Sequence, residues 1–345
     1  MARIVVSAAS VVLSLAVMEI ALRVVTPIQR VVGPIGSYYQ FDPELGWIGK
    51  PSVEARFCKP DFDVLLGHNA AGFRRTPSLA PQSPEKTIAV LGDSFVWGWG
   101  VDDGCVVTDV LQSVGNPPWK VENFGVNAYG TLQESLLLKR LVAQGVKPTT
   151  VILLFFENDF NDTTAQATNR PWADVDDTGC VVRNIPVAED HITDSSLRAL
   201  LDRSRLFSTI AYVANLWKAR SQQAPAGEAS NAQVPVAQRA IDAVAFCLRD
   251  IRTTCETVNA RFLVVYVPAV QDIQGVGGPA AATALRAACD SATVESLDLT
   301  PAFREASAGD PGRLYFPNDQ HWTAEGHRVA AATIHRHLTR DQPAE

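Results

Sequence analysis

The stretch Ile88–Phe95, with the sequence IAVLGDSF, joins an apolar run to a polar turn. Its apolar residues, Ile88 to Leu91, predict a buried strand of a parallel sheet, because such strands are covered on both faces. Gly92 permits a sharp turn, and Asp93 and Ser94 follow at the carboxyl end of the strand, where open α/β sheets bind their ligands. Ser94 is therefore a candidate nucleophile. The triplet alone favours a plain turn, since Gly, Asp and Ser are ordinary turn residues.

The composition is that of a globular protein. The chain has 345 residues, of which 47% are hydrophobic and 19% are charged, so it can bury a large core. Its net charge of −7, without a block of Lys and Arg, argues against a nucleic-acid partner. Six cysteines occur without a CxxC pair, which argues against a zinc ribbon and leaves both disulfides and buried free thiols open.

An apolar run, Ile4–Met18, lies near the N-terminus. As a helix it spans about 22 Å, less than the ~30 Å hydrocarbon core of a bilayer. Extension to Val25 supplies the length but includes Glu19 and Arg23. We interpret residues 1–30 as an uncleaved signal-anchor that tethers an exported body in the periplasm or outside the cell. A cleaved signal peptide is the alternative, although no A-x-A site follows the run.

The rest of the chain divides at Lys86. Residues 31–85 are rich in Gly, Pro and aromatic residues and are interpreted as an N-terminal collar. Residues 86–345 alternate between strand and helix patterns, which predicts βαβ units around a parallel sheet. The predicted strands are Ile88–Leu91, Lys120–Phe124, Thr150–Phe156, Phe262–Val267 and Val294–Leu299. An insertion at about 160–235 interrupts the alternation and carries an amphipathic pattern over Ser196–Arg220, typical of a lid or a docking face.

An ester-cleaving serine needs a base, a group that orients the base, and donors for the oxyanion. Among the six histidines, only His321 lies in a loop beside an acid and just before a helix. In an extended loop, residues i and i+2 can point the same way, so Asp319 can hold the imidazole. The oxyanion donors would be the backbone N–H groups of Ser94 and Gly125 and the side-chain amide of Asn158. Each of these three residues follows a predicted strand.

These blocks resemble those of the SGNH hydrolases in the GDSL esterase/lipase superfamily. The matching residues are Gly92-Asp93-Ser94, Gly125, Asn158 and the Asp319-Gln-His321 loop. Phe95 stands where that superfamily has its eponymous leucine. One residue separates acid and base where two are commonest, and Asn318 occupies the commonest acid position. Because Asn318 cannot carry a negative charge, Asp319 is the candidate acid.

The resemblance implies a fold, a mechanism and a location. The fold would be a flavodoxin-like three-layer α/β/α sandwich with a central parallel sheet, and the N-terminal features are similar to those of membrane-anchored bacterial members. Ser94 would attack an ester, His321 would move the proton and Asp319 would orient His321, without a metal or organic cofactor.

Three functions follow from this interpretation. The first is an exported serine esterase acting on small acyl esters, including O-acetylated glycans. The second is an O-acyltransferase in which a sugar hydroxyl of a cell-envelope or exopolysaccharide glycan receives the acyl group. The third is a non-catalytic envelope binding protein on the same fold.

Overall fold

The computed structural model describes residues 2–25, 30–31, 38–76, 84, 86–115, 118–176, 179–189, 204–221, 236–275 and 280–340. Residues 222–235, at the end of the predicted insertion, lie outside these ranges, and so does the first part of the amphipathic stretch that begins at Ser196.

The N-terminal part forms one helix and five short strands. They are α1 (Ala2–Val25), β1 (Arg30–Val31), β2 (Tyr39–Asp42), β3 (Gly46–Gly49), β4 (Glu54–Lys59) and β5 (Phe62–Gly67). Strands β2 and β3 form an antiparallel hairpin, and β4 and β5 form a second one with β1 parallel beside β4. We call the β4–β5 unit, with its turn at residues 60–61, the collar hairpin.

From Lys86 onward, strands and helices alternate as predicted. The elements are β6 (Lys86–Gly92), α2 (Ser94–Trp97), α3 (Val107–Val114), β7 (Trp119–Asn123), α4 (Thr131–Ala143), β8 (Thr150–Phe155), α5 (Asp159–Thr164), β9 (Trp172–Asp176), β10 (Gly179–Arg183), α6 (Arg205–Ser221), α7 (Gln238–Thr257), β11 (Arg261–Tyr266), α8 (Val270–Gln274), α9 (Ala280–Ala292), β12 (Glu295–Asp298), α10 (Thr300–Ser307), a 3-10 turn (Pro311–Arg313) and α11 (Ala324–Thr339).

The centre of the fold is a five-stranded parallel sheet in the order β12-β11-β8-β6-β7. Counted along the chain, these strands have the order 2-1-3-4-5 of flavodoxin-like sheets, whose switch point lies between the first and third strands. Here β6 and β8 flank that point, and Ser94 and Asn158 follow them. The sheet order therefore brings the ends of these two strands to one crevice.

Helices cover both faces of this sheet, as expected for a three-layer α/β sandwich. Side chains along β8 alternate between two apolar cores: Val151, Leu153 and Phe155 lie in one, and Ile152 and Leu154 in the other. Helices α4, α7 and α9 line the first core, and α3, α10 and α11 line the second. Burial on both faces explains why β8 is apolar without alternation.

The insertion contains a β-hairpin and a helix within the described residues. Strands β9 and β10 pair in antiparallel fashion, and Ala173 of β9 packs with Leu132 of α4 and with α7. Helix α6 begins later than the predicted amphipathic stretch. It contacts α1, β1 and β4, so it packs against the N-terminal part of the chain.

In the described part of the chain, no helix is long and apolar enough to cross a membrane, so the predicted membrane-spanning anchor over residues 1–30 is not confirmed. The Glu19 carboxylate of α1 holds the start of α6. It accepts hydrogen bonds from Ser204 Oγ at 2.9 Å and from the N–H groups of Arg205 at 3.0 Å and Leu206 at 2.9 Å. A carboxylate in this position satisfies N–H groups that the first turn of a helix leaves unpaired.

Candidate active site

Ser94 is the first residue of α2, directly after β6. Gly92 has a φ of +152°, and a Cβ atom there would lie 2.4 Å from Val96 Cγ2, so only glycine fits this turn. Asp93 caps α2, because its Oδ1 accepts the N–H of Phe95 at 2.9 Å. The turn therefore holds Ser94 at the sheet edge, where the residue is 9% exposed.

His321 lies in a tight hairpin formed by residues 315–322 and closed by a β-bridge between its two end residues. Within it, the Phe316 N–H donates to the carbonyl of His321 at 2.8 Å. Gln320 has a φ of +63°, so the chain doubles back between Asp319 and His321. The predicted extended loop is therefore wrong. The two side chains meet because the residue between them is left-handed.

Three of the five predicted site residues are brought into direct contact. Ser94 Oγ lies 2.7 Å from His321 Nε2, and His321 Nδ1 lies 2.5 Å from Asp319 Oδ1. The side chain of Asn318 instead donates to the carboxylate of Asp61 in the collar hairpin. Between the two candidate acid positions, Asp319 is thus the one that contacts the imidazole.

Two aromatic side chains pack against the His321 ring. The ring of Phe95 has its centroid 4.9 Å away, and that of Trp99 lies 5.3 Å away and is inclined by only 25°. Packing against these two rings resists rotation of the imidazole, which keeps Nε2 directed toward Ser94. The sequence departs from the superfamily at Phe95, and this position supplies one of the two rings.

Charge around Asp319 keeps it ionised. Burial alone would raise the pKa of its carboxyl, but contact with His321 and the nearby charge of Lys59 hold that pKa below its usual value of 3.8. A carboxylate that stays negative can stabilise the imidazolium that forms when His321 takes a proton.

Gly125 lies against α2, the helix that begins at Ser94. A Cβ atom there would be 2.4 Å from the backbone nitrogen of Trp97, so glycine permits a close approach to α2. Its N–H donates to Asn123 Oδ1 at 3.0 Å, and Asn123 Nδ2 donates to the carbonyl of Val96 at 2.6 Å. The Gly125 N–H already has an acceptor, and its predicted oxyanion role stays a prediction.

Ala128 lies in the same loop as Gly125, and the sequence did not indicate its N–H as a candidate oxyanion donor. It is exposed and has a φ of +60°. No residue that the structure describes accepts a hydrogen bond from its N–H. An alanine carries no sequence signal for a left-handed conformation, because this region favours Gly and Asn.

Asn158 follows β8 and is held by a chain of polar contacts. Its Nδ2 donates to Asp162 Oδ2 at 2.9 Å, and Asp162 Oδ1 accepts from Arg170 Nη1 at 2.8 Å. The same Arg170 nitrogen donates to the carbonyl of Ala128 at 3.1 Å, and its guanidinium lies over the ring of Trp47. One arginine therefore links the Asn158 amide to the Ala128 loop.

Three carboxyl groups near this region are fully buried, namely Asp93, Glu134 and Asp159. Burial raises the pKa of all three, and the charge of Glu134 raises that of Asp159 further. Both Glu134 carboxyl oxygens lack a hydrogen-bond partner among the described residues. A raised pKa favours the neutral acid, which limits negative charge beside Asn158.

The arrangement can carry out proton transfer. A proton can move from Ser94 Oγ to His321 Nε2 while Asp319 stabilises the charged ring. Among the described residues, no group of three or more His, Cys, Asp and Glu side chains is placed to hold a metal ion. The contacts among Ser94, His321 and Asp319 support activation of the serine hydroxyl.

One segment of the chain also matches a known protein family. Residues 229–345 match the family described as "SGNH hydrolase-like domain, acetyltransferase AlgX", and this segment includes the His321 hairpin. The match supports a likeness to the SGNH superfamily over this segment. No curated protein matches the sequence significantly.

Several solved structures are similar at low identity. A member of the lipolytic G-D-S-L family from Veillonella parvula is 11% identical with a TM-score of 0.40, covering 74% of this chain and 98% of its own. The lipase/acylhydrolase from Enterococcus faecalis is 13% identical with a TM-score of 0.40, covering 75% and 99%. A carbohydrate acetylesterase family member from Sinorhizobium meliloti is 13% identical with a TM-score of 0.35, covering 74% and 97%. With TM-scores this low, these likenesses carry no conclusion by themselves.

Proposed function

We propose that this protein is a serine enzyme that cleaves acyl esters through a covalent acyl-Ser94 intermediate. The observation that carries the proposal is the line of contacts from Ser94 Oγ to His321 Nε2 at 2.7 Å and from His321 Nδ1 to Asp319 at 2.5 Å. Nucleophile, base and orienting acid are within hydrogen-bond reach, as acyl transfer to a serine requires.

The reaction has two balanced steps. In the first, Ser94 Oγ forms a bond to the ester carbonyl carbon and its proton passes to His321 Nε2. The bond to the leaving alkoxide then breaks, and His321 returns the proton to that oxygen. In the second, water or another hydroxyl attacks the acyl group with the same proton movements, which releases the acid or a new ester and restores Ser94.

The oxyanion needs donors close to Ser94. The Ser94 N–H and the Asn158 amide remain our candidates, and we add the Ala128 N–H because that of Gly125 already donates to Asn123. Each donor contributes a factor of about 10² to 10³ in rate. Asn158→Ala is therefore expected to lower kcat by about that factor, whereas Asn161→Ala on the exposed side of α5 should change it little. Equal kcat values for the two variants would remove Asn158 from the oxyanion site.

The test of the proposal uses p-nitrophenyl acetate and a fluorophosphonate probe. We expect the wild-type protein to release p-nitrophenol and to be labelled covalently, and Ser94→Ala to do neither. Labelling of Ser94→Ala at the wild-type rate would contradict the proposal. Intact-mass measurement of an acetylated wild-type protein would identify the intermediate directly.

A second candidate is an O-acetyltransferase acting on a glycan, and the family match over residues 229–345 favours it. It shares the first step with an esterase and differs in the second, where a sugar hydroxyl replaces water. Adding acetyl-accepting oligosaccharides to the p-nitrophenyl acetate assay distinguishes the two. Acetylated sugar is expected from a transferase, and acetate alone from an esterase. Neither product would favour the non-catalytic binding protein.

We further propose that the protein is exported and that α1 attaches it to a membrane. The proposal is supported by large apolar side chains of α1 that are exposed, such as Val12 and Ile20. Fractionation of cells is expected to place the protein with the envelope. Recovery in the cytoplasmic fraction would contradict export.

A further inference from the structure

We propose that Asp61, in the collar hairpin, is a positioning residue for the catalytic acid Asp319. This inference rests on the proposed function, because it gives a role to the loop that carries Asp319 and His321. The residue acts on the loop backbone and does not touch the reacting atoms.

Asp61 accepts three hydrogen bonds from two neighbouring residues of that loop. Its Oδ2 accepts the backbone N–H of Asn318 at 3.0 Å and that of Asp319 at 2.8 Å. Its Oδ1 accepts from the side-chain amide of Asn318. One carboxylate that accepts two consecutive N–H groups fixes the orientation of those peptide planes. It thereby fixes the direction in which the Asp319 side chain leaves the backbone.

An apolar contact beside this carboxylate seats the collar hairpin on the loop. Phe62, the residue after Asp61, has its ring centroid 5.3 Å from that of Phe316, the second residue of the 315–322 loop. A Cβ atom at Gly100 would lie within 3 Å of both rings, so the two rings pack closely over the segment that follows α2. The turn of the collar hairpin is therefore held in place independently of the hydrogen bonds of Asp61.

The loop needs such an external support. Gln320 is in the left-handed region, where a residue with a side chain is less stable than in the common backbone conformations. Asp319 must nevertheless stay 2.5 Å from His321 Nδ1. Contacts from outside the loop offset the unfavourable conformation of Gln320. The carboxylate of Asp61 supplies such contacts at the backbone of Asp319 itself.

The opposite end of the same turn carries a cation. Lys59 ends β4, and its ammonium lies 5.6 Å from the ring centroid of Trp99, the side chain stacked on His321. Its charge also helps to keep Asp319 ionised. The turn thus presents an acceptor to the loop backbone and a positive charge to the acid.

The experiment compares Asp61→Ala with Asp63→Ala in the full-length protein. Asp63 is a matched control, since it lies in the same hairpin and its carboxylate accepts hydrogen bonds from Arg56 Nε at 2.6 Å and from Cys58 Sγ at 2.8 Å. We expect Asp61→Ala to lower kcat for p-nitrophenyl acetate about 10- to 100-fold with KM little changed, because small displacements of catalytic groups have effects of this size. Asp61→Asn, which keeps acceptor oxygen, should recover most of the loss.

A double-mutant cycle separates positioning from general destabilisation. In an Asp319→Asn background, Asp61→Ala should lower kcat by less than about 3-fold, because the acid that it positions is already lost. The same 10- to 100-fold loss in both backgrounds would overturn the proposal. So would a kcat for Asp61→Ala equal to that of Asp63→Ala. Should Asp61→Ala fail to fold, Asp61→Ser, whose single oxygen cannot reach all three donors, carries the same expectations.

Failure of this inference is distinguishable from failure of the proposed function. If Ser94→Ala is inactive while Asp61→Ala matches its control, the serine mechanism stands and only the role of Asp61 is lost. If Ser94→Ala keeps full activity, the proposed function itself is wrong.

Discussion

Replacing Asp319 by Asn tests the charge on the proposed catalytic acid while nearly preserving its shape. In the wild-type protein this carboxylate faces His321 Nδ1 at 2.5 Å, and the two side chains are 19% and 24% exposed. The transition state for attack by Ser94 places a positive charge on the imidazole. Asparagine would remove the negative charge that stabilises it.

The size of the effect follows from the geometry. Two unit charges whose centres are about 4 Å apart attract by about 4 kcal/mol at an effective dielectric constant of ~20, which suits a half-buried pair. Each 1.36 kcal/mol corresponds to a factor of ten in rate, so kcat should fall by about 10³. KM should change little, because the interaction strengthens only in the transition state.

The assay measures steady-state hydrolysis of p-nitrophenyl acetate and the labelling rate with fluorophosphonate. Asn318→Ala is the matched control, since its side chain donates to Asp61 and not to His321. We expect it to retain at least about a tenth of the wild-type kcat, the effect of losing one hydrogen bond. An Asp319→Asn protein that keeps full activity, with Asn318→Ala inactive, would refute the reasoning.

Three further predictions concern stability. Burial raises the pKa of Glu134 well above 4.5, so the folded state holds this proton more tightly than the unfolded state, and the protein loses stability as pH rises above 4.5. Glu134→Gln avoids this loss, so its free energy of unfolding should rise relative to the wild type by up to about 1.4 kcal/mol per pH unit between pH 5 and 7. Urea unfolding measures the difference, with the exposed Glu305→Gln as the control. Burial lowers the pKa of His327 from 6.5 to about 3, so the free energy of unfolding falls as pH drops between these values. His327→Gln should therefore show a weaker dependence of stability on pH in this range. A pH dependence as steep as that of the wild type would contradict the lowered pKa of His327. Gly125→Ala should lower the midpoint of thermal unfolding and slow the labelling of Ser94, because the new Cβ would lie 2.4 Å from the backbone of α2. A midpoint equal to that of the wild type would show that Gly125 and α2 are not closely packed.

Local patterns were sufficient for most of the fold. The apolar run at 88–91 lies within β6, and the run at 150–156 contains β8, which ends at Phe155. These features depend on neighbours in sequence. Helices α8 and α10 were not predicted, because they are short and lack a long apolar period.

The site shows where sequence reasoning ends. Ser94 and His321 could be identified because each lies in a recognisable turn or loop. The left-handed conformation of Gln320 and Ala128 could not, because neither residue type indicates it. The role of Asp61 could not either, since 257 positions separate it from Asn318 and no pattern links a turn in the collar to a loop near the C-terminus.

The reach of Asp61 across the chain has a practical consequence for dissecting the protein. A fragment cut at Lys86 would contain the whole parallel sheet together with Ser94, Asn158 and His321, and would look like a minimal catalytic domain. It would nevertheless lack the carboxylate that grips the backbone of Asp319 and the Phe62 ring beside it. Chimeric proteins should therefore take the collar hairpin and the 315–322 loop from the same parent, even though these segments lie far apart in the sequence.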